Sequence, residues 1–515
     1  MTPEPVVVLV NSFRDPYNTV VAAARTCYSS KVVSPDECGK DDKAREVRDR
    51  IYESIYKAGH HTTIQHPTFQ FVLEKVSRQF IWSFLHSHPF YNSEQVSQRY
   101  VEVRKGNFAT PPLDGAALEL YTATVARMMD GYHALMKAIE PDVEREYFRI
   151  YPARRTSADK WRKKDIHKKV MEAARYVLPV ATHAHLYHTV SGITLHRYHR
   201  LCGQFDTPAE TRTVVRKMVE EVNRVDPLFF RSAEDEIPLE HTPEFRAFAE
   251  FHGAGTSGRE FVREFDASLG PVRSKLIDWK ANAPETMAQA VRTVLGLARG
   301  RMSDAEAIER VMDPAKNPLL GEALVLTTHS KLSRAMHHPH YTFRKKLSHT
   351  ADSQDQRHRM IPGTRPVLAA HFTGEPDVIL PPVIERGAAR EPAMGLLREV
   401  WEAIARLRGM GVPWEHAQYL LPNAVAVRFE ESGDLLNLHH KWTTRLCYLA
   451  QEEIWRCCLE EVQQVARVHP ALARHLLPPC GLRKEAGASP YCPEGNRYCG
   501  VPVWKLPIEQ YARLI

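Results

Sequence analysis

Apolar and polar residues alternate over His66-Pro-Thr-Phe-Gln-Phe-Val-Leu73, the period-two pattern of a half-buried strand. Val6 to Val10 is a short apolar run and predicts another strand. Apolar residues spaced three and four apart predict helices around Ala44 to Lys57 and, most clearly, over Leu435 to Val465. Strands and long amphipathic helices are interspersed, so the expected class is α+β, with mixed helices and antiparallel strands.

The same pattern returns along the chain. Glu172-Ala-Ala-Arg175-Tyr-Val-Leu178-Pro179 reappears as Glu415-His-Ala-Gln418-Tyr-Leu-Leu421-Pro422, at an offset of 243. Lys75-Val-Ser77-Arg78 pairs with Lys331-Leu-Ser333-Arg334 at an offset of 256, and Gln98-Arg99-Tyr100 with Gln356-Arg357-His358 at 258. Periods of this length are too long for a solenoid and predict two tandem copies of one domain. The first copy is expected over 1–230 and the second over 290–515. A partly helical linker or insertion fills 231–289, opened by the charged, proline-ended stretch Arg231-Ser-Ala-Glu-Asp-Glu-Ile-Pro238.

Composition narrows the class. Of 515 residues 43% are hydrophobic and 25% charged, which excludes a disordered, collagen-like or disulfide-scaffold chain. No apolar run of about 18 residues appears, so no membrane-spanning helix is expected. The opening MTPEPVVVLVNSFRDP lacks a basic region followed by a long apolar one, and a cytoplasmic location is expected. Lys and Arg outnumber Asp and Glu by 69 to 62, a mild excess that suits a small anionic ligand as well as nucleic acid. Nine cysteines argue against a disulfide framework.

Several stretches carry candidate chemistry. No GxxxxGK[ST] phosphate loop occurs. Gly253-Ala-Gly255-Thr-Ser-Gly258 spells GxGxxG, but the residues before it, Pro243 to Phe251, read as a helix, so a loop is expected there and no dinucleotide fold. Cys480, Cys492 and Cys499 sit in a Gly/Pro-rich tail, with His475 or Cys458 as a fourth zinc ligand. Without CxxC spacing they read as free thiols in a packed tail, and no metal is expected. The basic run Arg154 to Lys169 around Trp161 suits a nucleic-acid backbone, though a solvated helix face explains it better. The polar segment His86-Ser-His88-Pro-Phe-Tyr-Asn92-Ser-Glu-Gln95-Val-Ser97-Gln-Arg99-Tyr100 offers hydroxyls, backbone N–H groups and a guanidinium to a phosphate.

That segment resembles the RHRxxSx(N/S)xxSxRY signature of the flavin-dependent thymidylate synthases. Gly59-His60-His61-Thr62-Thr63-Ile64-Gln65-His66 is similar to the family's upstream GHxSxxEH stretch, followed by Ser77-Arg78. Ala24-Arg25-Thr-Cys27-Tyr28-Ser29 looks like its N-terminal segment. Leu421-Pro422, Arg428, Thr444-Arg445-Leu446 and Ala450-Gln451-Glu452-Glu453-Ile454 resemble its C-terminal nucleotide-binding block. In the first copy RHR is replaced by Ser87-His88-Pro89, while Ser97, Arg99 and Tyr100 stand. In the second, Arg357-His358-Arg359 spells RHR, but counted from Lys345 it lies at the SxRY end and reads as an incidental match.

The resemblance implies methylation of dUMP to dTMP, with FAD, a reduced nicotinamide (NADPH) and methylenetetrahydrofolate. It implies Arg445 and Ser97 as catalytic groups, and Gln95, Ser97, Arg99, Tyr100 and Arg428 as nucleotide contacts. His60, His66, His88 and His440 would be the flavin contacts. The better SxRY lies in the first copy and the better arginine pair in the second. One composite site from both halves is therefore expected, in a homodimer that imitates the family's tetramer. A degenerate member that binds a nucleotide or RNA without turnover is the alternative.

Overall fold

The computed structural model describes residues 1–203, 206–252 and 258–515. The run Gly253 to Ser257 lies outside the described residues, and the segment before it is a helix, Pro243–His252, as its spacing predicts.

In chain order, β1 (Val6–Ser12) leads to α1 (Pro16–Thr26) and α2 (Asp42–Ala58). Strand β2 (Thr68–Ser77) runs directly into α3 (Arg78–His86), then β3 (Tyr91–Gln95) and the long α4 (Gly115–Ile150). Next come β4 (His183–Ser191), α5 (Gly192–Arg200) and α6 (Pro208–Val225). Strand β5 (Ser274–Trp279) and α7 (Ala283–Leu295) precede β6 (His340–Ser348), α8 (His349–Asp355) and α9 (Arg390–Gly409). The chain continues through β7 (Ala426–Asp434), α10 (Leu435–Arg445) and α11 (Glu452–Val468).

These elements form two compact units. The first comprises Met1–Ala126, Pro179–Thr256 and Glu402–Leu421, and the second Arg127–Leu178, Ser257–Trp401 and Pro422–Ile515. Each unit thus takes a segment from the opposite half of the sequence.

The first unit holds an antiparallel sheet of order β1-β2-β4-β3. Its apolar face, Phe69, Phe71, Leu73, Leu186 and Val190, is buried in one core with residues of α1 and α6. Ser77 ends β2 and starts α3: its side chain accepts from the Phe80 N–H (2.8 Å), the capping bond that leaves the first helical turn satisfied. Glu210 holds this corner, accepting from Ser77 N and Oγ (both 2.7 Å) and from the Tyr419 hydroxyl (2.6 Å).

The second unit holds an antiparallel sheet of order β5-β6-β7 over its own core. Its corner has the same construction. Ser348 caps α8, Glu453 accepts from Ser348 N and Oγ (both 2.7 Å), and Tyr176 donates to Glu453 (2.6 Å).

The registers repeat as well. Leu73 faces Leu186 in the first unit, and Lys345 faces Phe429 in the second. The β1–β2 ladder slips between Leu9 and Asn11, and the β5–β6 ladder slips at the equivalent place, between Leu276 and Asp278. Ser348 therefore takes the place of Ser77. Lys331-Leu-Ser333-Arg334, which the sequence match pairs with that corner, lies earlier, at the 3-10 turn Ser333–His337 before β6.

Two boundaries differ from the sequence reading. The periodic stretch Leu435 to Val465 is two helices, α10 and α11, because Gln451 folds its side chain back to accept from the Ile454 N–H (3.2 Å) and starts a new helix. Residue 290 falls inside α7, and β5 already belongs to the second sheet.

Candidate functional site

In the first unit the Ser97 segment lies beside a cleft of about 290 Å³ lined by Lys75, Arg78, Gln98, Asn107, His183 and His185, among others. Arg78 orders the segment by donating to the Gln95 Oε1 (2.7 Å) and the Val96 carbonyl (2.5 Å). Ser97 closes a turn: its carbonyl accepts from Tyr100 N and Val101 N, and its hydroxyl from Arg99 N. The Arg99 guanidinium lies over the Tyr100 ring at 5.4 Å, and Tyr100 is largely exposed.

Lys75 reaches the cleft through a β-bulge. Strand β2 slips register between Leu73 and Val76, and Lys75 has φ 56°, the left-handed region that a side chain adopts only at a cost. Its two polar residues in a row, Glu74-Lys75, break the strand alternation and are the sequence signal of the bulge. His183, opposite, is buried, and its Nε2 has no hydrogen-bond partner. Burial, with Lys75 adding to it, pushes the His183 pKa down to about 4, so it faces the cleft as a neutral imidazole. Sequence reasoning missed both Lys75 and His183.

Behind β3 runs a chain of hydrogen bonds. His88 Nδ1 accepts from the Phe90 N–H (2.9 Å), which fixes the tautomer, so its Nε2 donates to the Tyr198 hydroxyl (2.7 Å). Tyr198 in turn donates to His188 Nε2 (3.1 Å), and His188 Nδ1 donates to Ser93 Oγ (2.6 Å). His60 and His66 are exposed at either side of the 3-10 turn Thr63–Gln65.

In the second unit the register corrects the reading of Arg357-His358-Arg359. Ser93 faces His188 in the first unit, and Gly363 bridges Glu431 in the second, so Gly363 stands in the place of Ser93. Counting back equally from each puts His358 at the position of His88. The Arg-His-Arg is therefore the RHR of the signature in its proper place, and the incidental-match reading is wrong. Arg445 meets it: its Nε donates to His358 Nε2 (2.9 Å) and its NH2 group to the Gln354 carbonyl (2.8 Å). Burial, then the adjacent Arg445, pushes the His358 pKa well below its ordinary value, which leaves Nε2 free of a proton to accept that bond. The exposed His440 has its ring 5.9 Å from His358.

Arg428 lies elsewhere in the second unit. Its side chain is fully buried on β7 and forks onto Asp266 (2.7 and 2.8 Å) and onto Asp377. A phosphate would have to displace those carboxylates.

The second unit also carries a fully buried ionic cluster. Lys345 and Lys441 share Asp355, Glu431 and Glu461, with Lys345 to Glu461 at 3.1 Å and Lys441 to Asp355 at 3.2 Å. Trp442 donates to Glu461 (2.7 Å) and Arg365 to Asp352 (2.8 Å). The lysines hold Asp355 well below the usual carboxylate range, whereas burial pushes Glu431 up.

A cleft of about 1030 Å³ opens on the same unit, with Arg299, Lys331, Arg334, His337 and His338 in its wall. His338-Pro339, just before β6, stands where His66-Pro67 stands before β2 in the first unit. Within the basic run Arg154 to Lys169, Arg154 stacks on Tyr151 (4.3 Å) and Trp161 (4.1 Å), and Arg162 pairs with Glu144 and Asp159.

Among the described residues no helix is long and apolar enough to cross a membrane. Two antiparallel sheets with helices at their strand ends define an α+β protein. The chain belongs to the thymidylate synthase complementing protein family, whose model matches residues 8–228 and 275–471. It is 27% identical over 222 residues to a flavin-dependent thymidylate synthase of Clostridium tetani, covering 42% of this chain and 82% of that protein. It is 33% identical over 150 residues to one of Sulfurisphaera tokodaii, covering 28% and 57%. It is also similar to the crystal structure of a UMP/dUMP methylase from Streptomyces cacaoi bound with 5-Br dUMP. There the identity is 17%, the coverage 44% of this chain and 94% of the other, and the TM-score 0.30.

Proposed function

We propose that the chain is a tandem-duplicated thymidylate synthase of the flavin-dependent kind, which methylates dUMP or a close pyrimidine nucleotide. The observation that carries this reading is the first-unit cleft, where Lys75 on a strained bulge and the unpartnered His183 Nε2 flank the Ser97–Tyr100 segment. Strain of this kind clusters at ligand sites. The duplication is supported by the repeated sheet registers and by the paired Ser77–Glu210–Tyr419 and Ser348–Glu453–Tyr176 corners. The copies are 1–230 and a second one that begins at β5, before residue 290.

Lys75, Arg78 and Arg99 supply positive charge for the nucleotide phosphate, and Ser97, Gln95 and Tyr100 orient it. His183 Nε2 takes a hydrogen bond from the pyrimidine edge. Arg445, held by His358 and the Gln354 carbonyl, stabilises charge on the uracil carbonyl. The residues present fit FAD in the second-unit cleft, since Lys331, Arg334 and His338 suit its phosphates. His60, His66, His88 and His440 remain candidate flavin contacts. FAD, when bound and reduced by NADPH, supplies the hydride, and methylenetetrahydrofolate supplies the carbon. Both halves of the chain are required, because each keeps the part of the signature that the other lacks. A homodimer is part of the proposal, tested by the mass in solution.

Isotope release from C5-labelled dUMP by the FAD-loaded chain tests the activity. Arg445→Ala should lower turnover by about 10²–10³-fold and leave the melting temperature close to that of the parent. Unchanged turnover removes Arg445 from the mechanism. One observation favours the alternative of a binding protein without turnover, namely the commitment of Arg428 to Asp266 and Asp377. A colourless protein that binds dUMP but neither FAD nor folate would establish that alternative.

A further inference from the structure

The sheet registers put particular residues of the two units in the same place. Counted from the paired serines Ser77 and Ser348, His185 on β4 answers to Arg428 on β7. The bulge residues Glu74-Lys75 on β2 answer to Lys346 on β6. The segment beside each sheet corresponds too. The Asn107 carbonyl accepts from His183 N (3.1 Å), and the Asp377 carbonyl accepts from Ala426 N (3.0 Å). The next residue agrees, since Phe108 bridges Thr182 and Val378 bridges Val425. Asn107 therefore answers to Asp377.

In the first unit Lys75, Asn107 and His185 line the open cleft of about 290 Å³. In the second unit the matching cations are covered. The helix Arg259–Leu269, which precedes β5, brings Asp266 over them. Asp266 accepts from Nε and Nη2 of Arg428 (2.8 and 2.7 Å) and from the Lys346 ammonium (2.7 Å). Asp377 accepts from Nη1 of the same guanidinium and from Nη2 at 3.2 Å. The Arg428 side chain is left fully buried, whereas His185 is exposed. Two carboxylates thus balance two cations around one planar donor fork. A phosphate monoester dianion carries the same charge, and its oxygens suit the same fork. We propose that Arg428 and Lys346 form a second anion site, of the phosphate-monoester class, which the chain fills with its own Asp266 and Asp377. Asp266 comes from a helix outside the sheet. Asp377 holds its strand through its backbone carbonyl, which the matching Asn107 supplies without a charge. Neither carboxylate is therefore needed to form the sheet. The class of anion rests on the proposed nucleotide site of the first unit; the occlusion rests on the second unit alone.

The test compares melting of the full-length chain in chloride and in inorganic phosphate at equal ionic strength. Asp266→Asn combined with Asp377→Asn removes both occupants and opens the two cations. With phosphate at about ten times its dissociation constant, this double variant should gain about 2–4 °C more than the parent. Adding Arg428→Gln should abolish the gain; a gain that persists is a general salt effect and overturns the site. Should the double variant fail to fold, Asp266→Asn alone decides. There Arg428 keeps its fork on Asp377 while its Nε edge is opened to phosphate. Folded variants no more responsive to phosphate than the parent would overturn the second site. A gain in the variants, over a parent that binds neither phosphate nor dUMP, would uphold it and remove the first-unit nucleotide site. A parent that binds dUMP, with variants that gain nothing from phosphate, would do the reverse.

Discussion

Tyr198 and Lys441 occupy the same turn of α5 and α10, and they show two ways to fill one position. In the first unit Tyr198 bonds His188 and packs against Phe84, in a core that also holds Leu73 and Met218. The matching residues of the second unit are Lys345, Asp355, Glu431 and Glu461. One core is aromatic and hydrogen-bonded, and the other is ionic. A buried ion pair gains little over well-packed apolar groups, but breaking it strands a charge. Lys441→Met should therefore destabilise the second unit by about 3–5 kcal/mol, read by denaturant unfolding of α10 and α11. Installing the whole first-unit set at once (Lys345→Leu, Asp355→Phe, Glu431→His, Lys441→Tyr, Glu461→Met) should cost less than the single change. A larger loss for the quintuple variant would mean that the ionic cluster holds the fold together.

Among the elements, strand β2 and helix α2 were legible because each keeps one periodicity over most of its length, and β1 because it is a short uninterrupted apolar run. The break between α10 and α11 was not legible, since apolar spacing continues through it and only the Gln451 cap interrupts the backbone. Gln451→Ala should cost about 1 kcal/mol and raise hydrogen exchange at the start of α11. Protection unchanged there would show that packing alone sets the break. The true place of Arg357-His358-Arg359 was hidden for a related reason. Leu9 answers to Leu276, Leu73 to Lys345, Ser77 to Ser348, His88 to His358 and Leu186 to Phe429, and the spacing between partners changes from pair to pair. No single count finds the motif, because the bulge at Lys75 and a further slip after α3 each shift the frame. The Tyr176/Tyr419 pair lies within a stretch of constant spacing, and each tyrosine donates to the glutamate of its unit's corner. The cleft residues Lys75 and His183 come from strands far apart in sequence, so only the sheet brings them together.

The two units differ as whole bodies in their response to acid. The first buries His188 and His196, whose pKa values burial pushes down to about 3, and His183, pushed down to about 4. An unfolded histidine titrates near about 6.5. Between that value and the folded one the unfolded chain binds more protons, so stability is full above about pH 6.5 and falls as pH falls. Each such histidine removes about 1.4 kcal/mol per pH unit over this window. His199 and His416 of the first unit are shifted the same way, so among the described residues it carries five such histidines against His358, His439 and His440 in the second, which has Glu431 where the first has His188. Its Asp355 and Glu461, held below their ordinary values by the lysines, keep their contribution until pH falls below the usual carboxylate range. On acidification from about pH 7.5 to about 5, β2, β4 and α5 should therefore lose protection before β6, β7 and α10. Hydrogen exchange, corrected for the intrinsic rate at each pH, measures this segment by segment. His188→Gln should reduce the acid slope of the first unit by about 1.4 kcal/mol per pH unit and leave that of the second unchanged. Loss of protection in the second unit first, or an unaltered slope in the variant, would show that the buried histidines do not govern the acid limit of the fold.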